Sequence, residues 1–73
     1  MLDAVGMNEI NKIFAVTDAM GVHREQIVIP LGAGKGRVRR LPSGKIEIVV
    51  DAETPIDDWL RGLPDLIRAV LPR

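Results

Sequence analysis

Residues 26–51 read QIVIPLGAGKGRVRRLPSGKIEIVVD, and this stretch decides the fold. It opens with an apolar run, passes through a glycine-rich segment at 32–36, and ends in two runs where apolar and charged residues alternate. A period of two residues is typical of strands that bury one face. We therefore predict three strands, at 26–31, 36–41 and 45–51.

The Leu-Pro-Ser-Gly-Lys sequence at 41–45 joins the last two strands. Proline at the second turn position and glycine at the fourth suit a type I turn followed by a glycine bulge. The resulting register puts Leu41 opposite Lys45, Arg39 opposite Glu47 and Arg37 opposite Val49. One face then carries the core residues Val38, Ile46, Ile48 and Val50, with Arg40 near the turn, and the other carries Arg37, Arg39, Lys45, Glu47 and Asp51.

A helix is predicted before the strands, because apolar residues from Ile10 to Met20 recur at helical spacing. We place it at 8–20 with Asn8 as N-cap; Asp3 is the alternative cap, but that choice leaves Gly6 inside the helix. Gly21 is expected to end the helix in the left-handed conformation.

After the strands, Thr54 followed by Pro55 predicts the start of a second helix, with Thr54 as N-cap. Pro64 lacks the N–H that would bond to the carbonyl of residue 60. We therefore expect a break or kink near 62–63 and two helical segments, at 55–62 and 64–71.

These elements predict an α+β fold: a single-layer antiparallel three-stranded sheet with two helices on one face, in the order α-β-β-β-α. With 73 residues, the chain is expected to form a single domain over 1–73. A core of this size is thin, and small scaffolds commonly rely on disulfides, metals or association for stability.

The amino-acid composition argues against several classes of function. The chain has no cysteine, no tyrosine, one histidine and one serine, so disulfides, thiolate metal sites and most nucleophile–base pairs lack their residues. We predict no enzyme activity, no cofactor and no metal site. No apolar run approaches the about 18 residues of a membrane span, and no signal peptide precedes residue 20, which favours a cytoplasmic protein without membrane contact.

The glycine-rich segment 32–36 has the composition of a phosphate loop but not its motif. That motif needs Ser or Thr after the Gly-Lys pair and a following helix, whereas Gly36 and a basic strand follow Lys35 here. We expect a flexible connection; the alternative is a nest of backbone N–H groups that binds an anion. His23 is expected to be a loop residue rather than a base or ligand, because no partner stands beside it.

Charge is segregated along a chain whose formal net charge is zero. A basic stretch at 35–45 precedes an acidic stretch at 47–65. The basic stretch supports one candidate function, an anion-binding or nucleic-acid-binding module, although no aromatic residue lies within it for base stacking. Its candidate residues are Lys35, Arg37, Arg39, Arg40 and Lys45.

The function we prefer is a small non-catalytic protein-interaction module that self-associates through its sheet. Strand 26–31 is apolar on both faces, two helices can cover only one face, and the charged stretches are complementary across a two-fold axis. The predicted assembly is a homodimer. Its candidate apolar centre is Val28, Leu31, Leu41 and Val49.

Overall fold

The computed structural model describes residues 4–71. Along that part of the chain come helix α1 (Met7–Ala19), a 3-10 turn (Arg24–Gln26), strand β1 (Ile27–Val28), strand β2 (Lys35–Arg40), strand β3 (Ile46–Asp51) and helix α2 (Ile56–Val70). Two helices and a three-stranded sheet within 4–71 confirm the α+β class.

The sheet is mixed, so the prediction of a purely antiparallel sheet is wrong. The strands lie in the order β1-β3-β2, with β2 antiparallel and β1 parallel to the central β3. The predicted order α-β-β-β-α also omitted the 3-10 turn, and the strands are not neighbours in chain order. The cause is the connection between β1 and β2, which passes around the carboxyl end of β3.

Glycines make this crossing possible. Gly34 bonds to β3 on the β1 side, donating its N–H to the Val50 carbonyl at 2.7 Å and accepting from the Ala52 N–H at 2.9 Å. Gly36 follows with φ +68°, and a Cβ on it would lie 2.6 Å from the Asp51 Cβ. The segment is therefore a close crossover bonded to β3, not the flexible connection we expected.

The hairpin between β2 and β3 confirms the turn prediction. The Leu41 N–H donates to the Lys45 carbonyl at 2.7 Å, and the Gly44 N–H donates to the Leu41 carbonyl at 2.9 Å. Gly44 has φ +89°, as the bulge position requires. The predicted pairs Arg37–Val49 and Arg39–Glu47 are present.

Strand β1 is much shorter than the predicted 26–31, since only Ile27 and Val28 pair with β3. Residues 24–26 form the 3-10 turn, and Pro30, which has no N–H, follows shortly after the ladder. Further along, the Leu31 carbonyl accepts the Val5 N–H at 2.7 Å, so the chain there pairs with the N-terminal segment instead of β3.

Helix α1 begins one residue earlier than predicted, and its cap is Gly6 rather than Asn8. The Glu9 carboxylate accepts the Gly6 N–H at 2.8 Å, which satisfies a terminal donor without a capping side chain. Asp3, the alternative cap, lies outside the described residues. Gly21 ends the helix with φ +76°, confirming that prediction, and the Val22 N–H bonds back to the Thr17 carbonyl at 2.9 Å.

Helix α2 is continuous through Pro64, so the predicted division into two helical segments is wrong. Its buried residues Trp59, Leu63 and Ile67 lie on both sides of the proline. Their burial favours one unbroken apolar stripe over a helix end. Thr54 is not the N-cap, because its hydroxyl donates to the Asp51 carboxylate at 2.8 Å, and Pro55 takes that position.

One core joins both helices to the sheet. The face of β3 carrying Ile46, Ile48 and Val50 is buried, and the partly buried Val38 packs against the same cluster, as predicted. The Lys12–Asp57 ion pair and, farther along both helices, a groove lined by Val16 and Arg68 show that α1 and α2 run side by side in the same direction. The other buried core residues are Val5, Ile13, Thr17, Val22, Trp59, Leu63 and Ile67.

Candidate functional site: the outer sheet face

The sheet face turned away from the core is the candidate site, and we call it the outer face. Side chains alternate along each strand, so β3 presents Glu47, Val49 and Asp51 here while its other residues are buried. Neither helix within residues 4–71 lies on this face, because both contribute their buried residues to the opposite side. The outer face consists of Val28 from β1, Glu47, Val49 and Asp51 from β3, and Lys35, Arg37, Arg39 and Leu41 from β2 and the turn.

The sequence-predicted cations separate into two groups. Lys35, Arg37 and Arg39 form a row along β2 on the outer face, and all three are exposed. Arg40 pairs with Ile46 and therefore lies toward the core side, where it lines a cavity of about 330 Å³ with Met20 and Val70. Lys45 is exposed at the hairpin turn. The five cations thus do not form one surface.

A row of acids lies beside the row of cations. Lys35 is opposite Asp51, and Arg39 is opposite Glu47. The Arg39 Nε donates to Glu47 Oε1 at 2.7 Å, with side-chain exposures of 54% and 16%. A surface pair of this kind contributes about 0.2–1 kcal/mol to stability. Within residues 4–71, neither Lys35 nor Arg37 has a carboxylate oxygen within 4.0 Å.

Among the predicted interface residues, Val28, Val49 and Leu41 lie on the outer face and are each partly buried. Val49 stands opposite Arg37, and Val28 stands opposite Glu47, so apolar and charged groups are interleaved. Leu31 lies beyond the end of β1 and is 63% exposed. It is therefore not part of the ladder that forms the outer face, because the strand that was expected to hold it ends at Val28.

Asp51 has a structural role that the sequence did not indicate. Its carboxylate accepts the Glu53 N–H at 2.8 Å and the Thr54 hydroxyl at 2.8 Å. These hydrogen bonds, the first being the stronger influence, hold the pKa of Asp51 below its ordinary value of 3.8. The carboxylate is therefore negative at neutral pH and is held against residues 53 and 54, which lead into α2. The Asp-x-x-Thr spacing before Pro55 was the available signal.

The acids of α2 lie elsewhere, so only part of the acidic stretch 47–65 shares a surface with the cations of β2. Asp57 pairs with Lys12 at 3.0 Å across the two helices, and Asp65 pairs with Arg68 at 2.8 Å within α2. Only Glu47 and Asp51 of the acidic stretch are on the outer face. The Lys12–Asp57 pair had no sequence signal, because 45 residues separate its members.

His23 is exposed between α1 and the 3-10 turn, where its carbonyl accepts the Gln26 N–H at 3.0 Å. Within residues 4–71, no three side chains of His, Cys, Asp or Glu come together as a metal-binding group. In the same part of the chain, neither helix has the length and hydropathy needed to cross a bilayer.

Comparison of the chain with protein-family models, with curated proteins and with solved structures gives no match.

Proposed function

We propose that this protein is a non-catalytic interaction module whose first partner is a second copy of itself, stacked on the outer face. One observation carries the proposal: no helix of residues 4–71 covers this face, yet it holds the partly buried Val49 within a row of acids and beside a row of cations. A face patterned in this way is self-complementary, because each copy supplies both charges.

A two-fold axis that runs parallel to the strands, midway between β2 and β3, brings the two rows together. This rotation places each β2 over the β3 of the other copy. Each residue keeps its height along the strand direction, so residues that are opposite each other within one sheet also face each other between the two sheets. The register then puts Lys35 over the second copy's Asp51 and Arg39 over the second copy's Glu47. Arg37 lies over the second copy's Val49, where its aliphatic stem covers the valine.

Burial strengthens each of these charge pairs. Stacked sheets lie about 10 Å apart, a distance that two facing side chains span. The intramolecular Arg39–Glu47 pair is worth little in water, but a covering sheet would exclude solvent from it. A stable interface requires about 800 Å² per partner, so the contact must include most of the outer face and Leu41 or Val28 at its margins.

The test exchanges charges between two copies. The Arg39→Glu variant has an acidic outer face, and the Glu47→Arg variant has a basic one. We expect each variant alone to sediment as an 8 kDa monomer, and an equimolar mixture to form a dimer, because the two faces then attract. Rescue on mixing requires contact between molecules, since the pair within each molecule stays broken.

The control applies the same exchange to the exposed Asp65–Arg68 pair of α2, which is also closed at 2.8 Å. Asp65→Arg and Arg68→Glu should leave association unchanged. A wild-type protein that sediments as a monomer at about 100 μM would overturn the proposal. A dimer that persists in both Arg39→Glu and Glu47→Arg would place the interface on another surface.

Polyanion binding by the same cations is the second candidate. It is favoured by Lys35 and Arg37, which have no acid within 4.0 Å among residues 4–71. The Glu47→Arg variant separates the two functions, because it adds a cation to the row while it abolishes the proposed dimer. Tighter, salt-sensitive binding of a DNA or RNA duplex by that variant than by wild type would support polyanion binding. If neither the wild type nor the Glu47→Arg variant binds a duplex, polyanion binding is excluded.

A further inference from the structure

Strand β2 is the edge of the sheet, and its outward backbone groups have no partner in residues 4–71. The Leu41–Lys45 pair exchanges a backbone hydrogen bond, and such pairs alternate along an antiparallel ladder. Arg39 and Arg37 therefore bond to β3, whereas the N–H and C=O groups of Val38 and Arg40 point away from it. We call these four groups the open edge.

Cations surround the open edge. Arg37 and Arg39 flank Val38 on the outer face, and Arg40 ends the strand on the core side. This charge excludes one occupant: a second copy's β2 would place Arg and Lys side chains directly against Arg and Lys side chains, which is destabilising. An acidic strand is the occupant that the same charges attract.

We infer that the open edge of β2 binds an extended acidic peptide of a partner protein, which adds a fourth strand to the sheet. The peptide residues that bond to Val38 and Arg40 turn their side chains to the core side, where Val38 favours an apolar neighbour. The residue between them faces Arg39, and the one beyond the partner of Val38 faces Arg37, both in non-hydrogen-bonded pairs, where side chains approach most closely. An alternation of Glu and Val therefore fits the site.

This inference concerns the backbone edge of the sheet, although it shares the Arg37 and Arg39 side chains with the proposed dimer. The open edge lies in the plane of the sheet, whereas the proposed dimer covers the face above it. Gly36, with φ +68°, bends the chain at one end of the edge, and the turn at Leu41 closes the other. The site therefore holds a short segment, with Val38 and Arg40 as the two hydrogen-bonding positions.

The probe is a fluorescein-labelled peptide of four Glu-Val repeats, with binding followed by fluorescence anisotropy. Two N-methylated versions separate backbone recognition from charge. Methylation at the Val amides blocks donors that face β2, and methylation at the Glu amides blocks donors that face solvent. We expect the first to weaken binding about tenfold or more, because two hydrogen bonds are lost, and the second to change it less than threefold.

Protein variants give the second measurement. Arg37→Glu should weaken binding of the Glu-Val peptide at least about tenfold, whereas Arg68→Glu on α2 should leave it unchanged. Circular dichroism of both variants is the check that they are folded. The inference is overturned if the Glu-Val peptide does not bind at 1 mM, if a Lys-Val peptide binds equally well, or if both N-methylated peptides bind like the parent. The dimer test above is read by sedimentation without any peptide, so either result can fail alone.

Discussion

Gly34 and Gly36 show how single residues permit this topology. A Cβ on Gly34 would lie 2.8 Å from Val49 Cγ1, and a Cβ on Gly36 would lie 2.6 Å from the Asp51 Cβ and 3.0 Å from the Trp59 Nε1. The Trp59 side chain is 7% exposed, and its indole N–H has no hydrogen-bond partner within residues 4–71. The crossover thus sits directly on β3 and α2, and any added atom displaces one of them.

The Gly36→Ala substitution should lower the free energy of unfolding by about 2 kcal/mol or more. It combines a left-handed backbone with a steric conflict against the Asp51 Cβ. Gly32→Ala is the matched control, because nothing lies within 4 Å of that position and its φ is not positive; it should change stability by less than about 0.5 kcal/mol. Urea titrations followed by Trp59 fluorescence measure both. Equal effects would mean that the crossover is not constrained.

Asp51 should make stability depend on pH. Its folded-state pKa lies below the ordinary 3.8, so the unfolded chain takes up the proton first as pH falls. The stabilisation is complete above the unfolded pKa and is lost as pH falls through the folded value. We therefore expect the melting temperature of Asp51→Asn to lie below that of wild type at pH 6 and to equal it near pH 2. A melting temperature of Asp51→Asn equal to that of wild type at pH 6 would contradict this role of the carboxylate.

At the scale of elements, features that depend on residues close together in the sequence were predicted, and features that depend on distant residues were not. The hairpin, its register and the left-handed Gly21 were predicted correctly, because each depends on a few adjacent residues. The parallel pairing of β1 with β3 was missed, since Ile27 and Ile46 meet only after the crossover has formed. The outer-face cations followed from the two-residue period, but Leu31 was misplaced because the length of β1 depends on that same pairing.

The continuity of α2 was mispredicted because Pro64 is a local signal that tertiary contacts override. Leu63 is fully buried beside it, and Trp59 and Ile67 anchor the helix on either side. The tendency of Pro64 to break the helix is opposed by the burial of three large side chains, each of which contributes about 1.5–3 kcal/mol to stability.

The two helix-disfavouring residues of α2 should therefore be sites of stabilisation. Gly62→Ala adds a methyl group into open space within a helix and should raise the free energy of unfolding by about 0.5–1 kcal/mol. Pro64→Ala restores the N–H that bonds to the Leu60 carbonyl and should add about 1–2 kcal/mol. Chemical denaturation of the single and double variants measures this. A loss of stability in Pro64→Ala would show that the helix depends on the ring contacts of Pro64.

At the scale of the whole molecule, the two sides of the sheet differ in how their charges are used. On the helical side, Lys12–Asp57 and Arg68–Asp65 are closed within one chain, and Arg24, paired with Asp18 at 2.8 Å, lies 4.8 Å over the Phe14 ring. On the outer face, Lys35 and Arg37 have no such partner within residues 4–71. The acids of α2 and of the outer face thus have partners within the chain, whereas these two cations of β2 are the charges for which another molecule would supply the partner.

Self-association of this kind should couple folding to concentration. Only folded chains associate into the dimer. Mass action therefore raises the melting temperature as the protein concentration rises. We expect the wild-type melting temperature to increase between about 5 and 500 μM, and that of Glu47→Arg to stay constant, since its face repels a second copy. Added NaCl should reduce the wild-type increase, because part of the attraction is between charges that salt screens. The exposed pair on α2 supplies the control, and Arg68→Glu should keep the concentration dependence. A wild-type melting temperature that is constant over this range would show that the outer face remains open in solution, and that the thin core is stable without a partner.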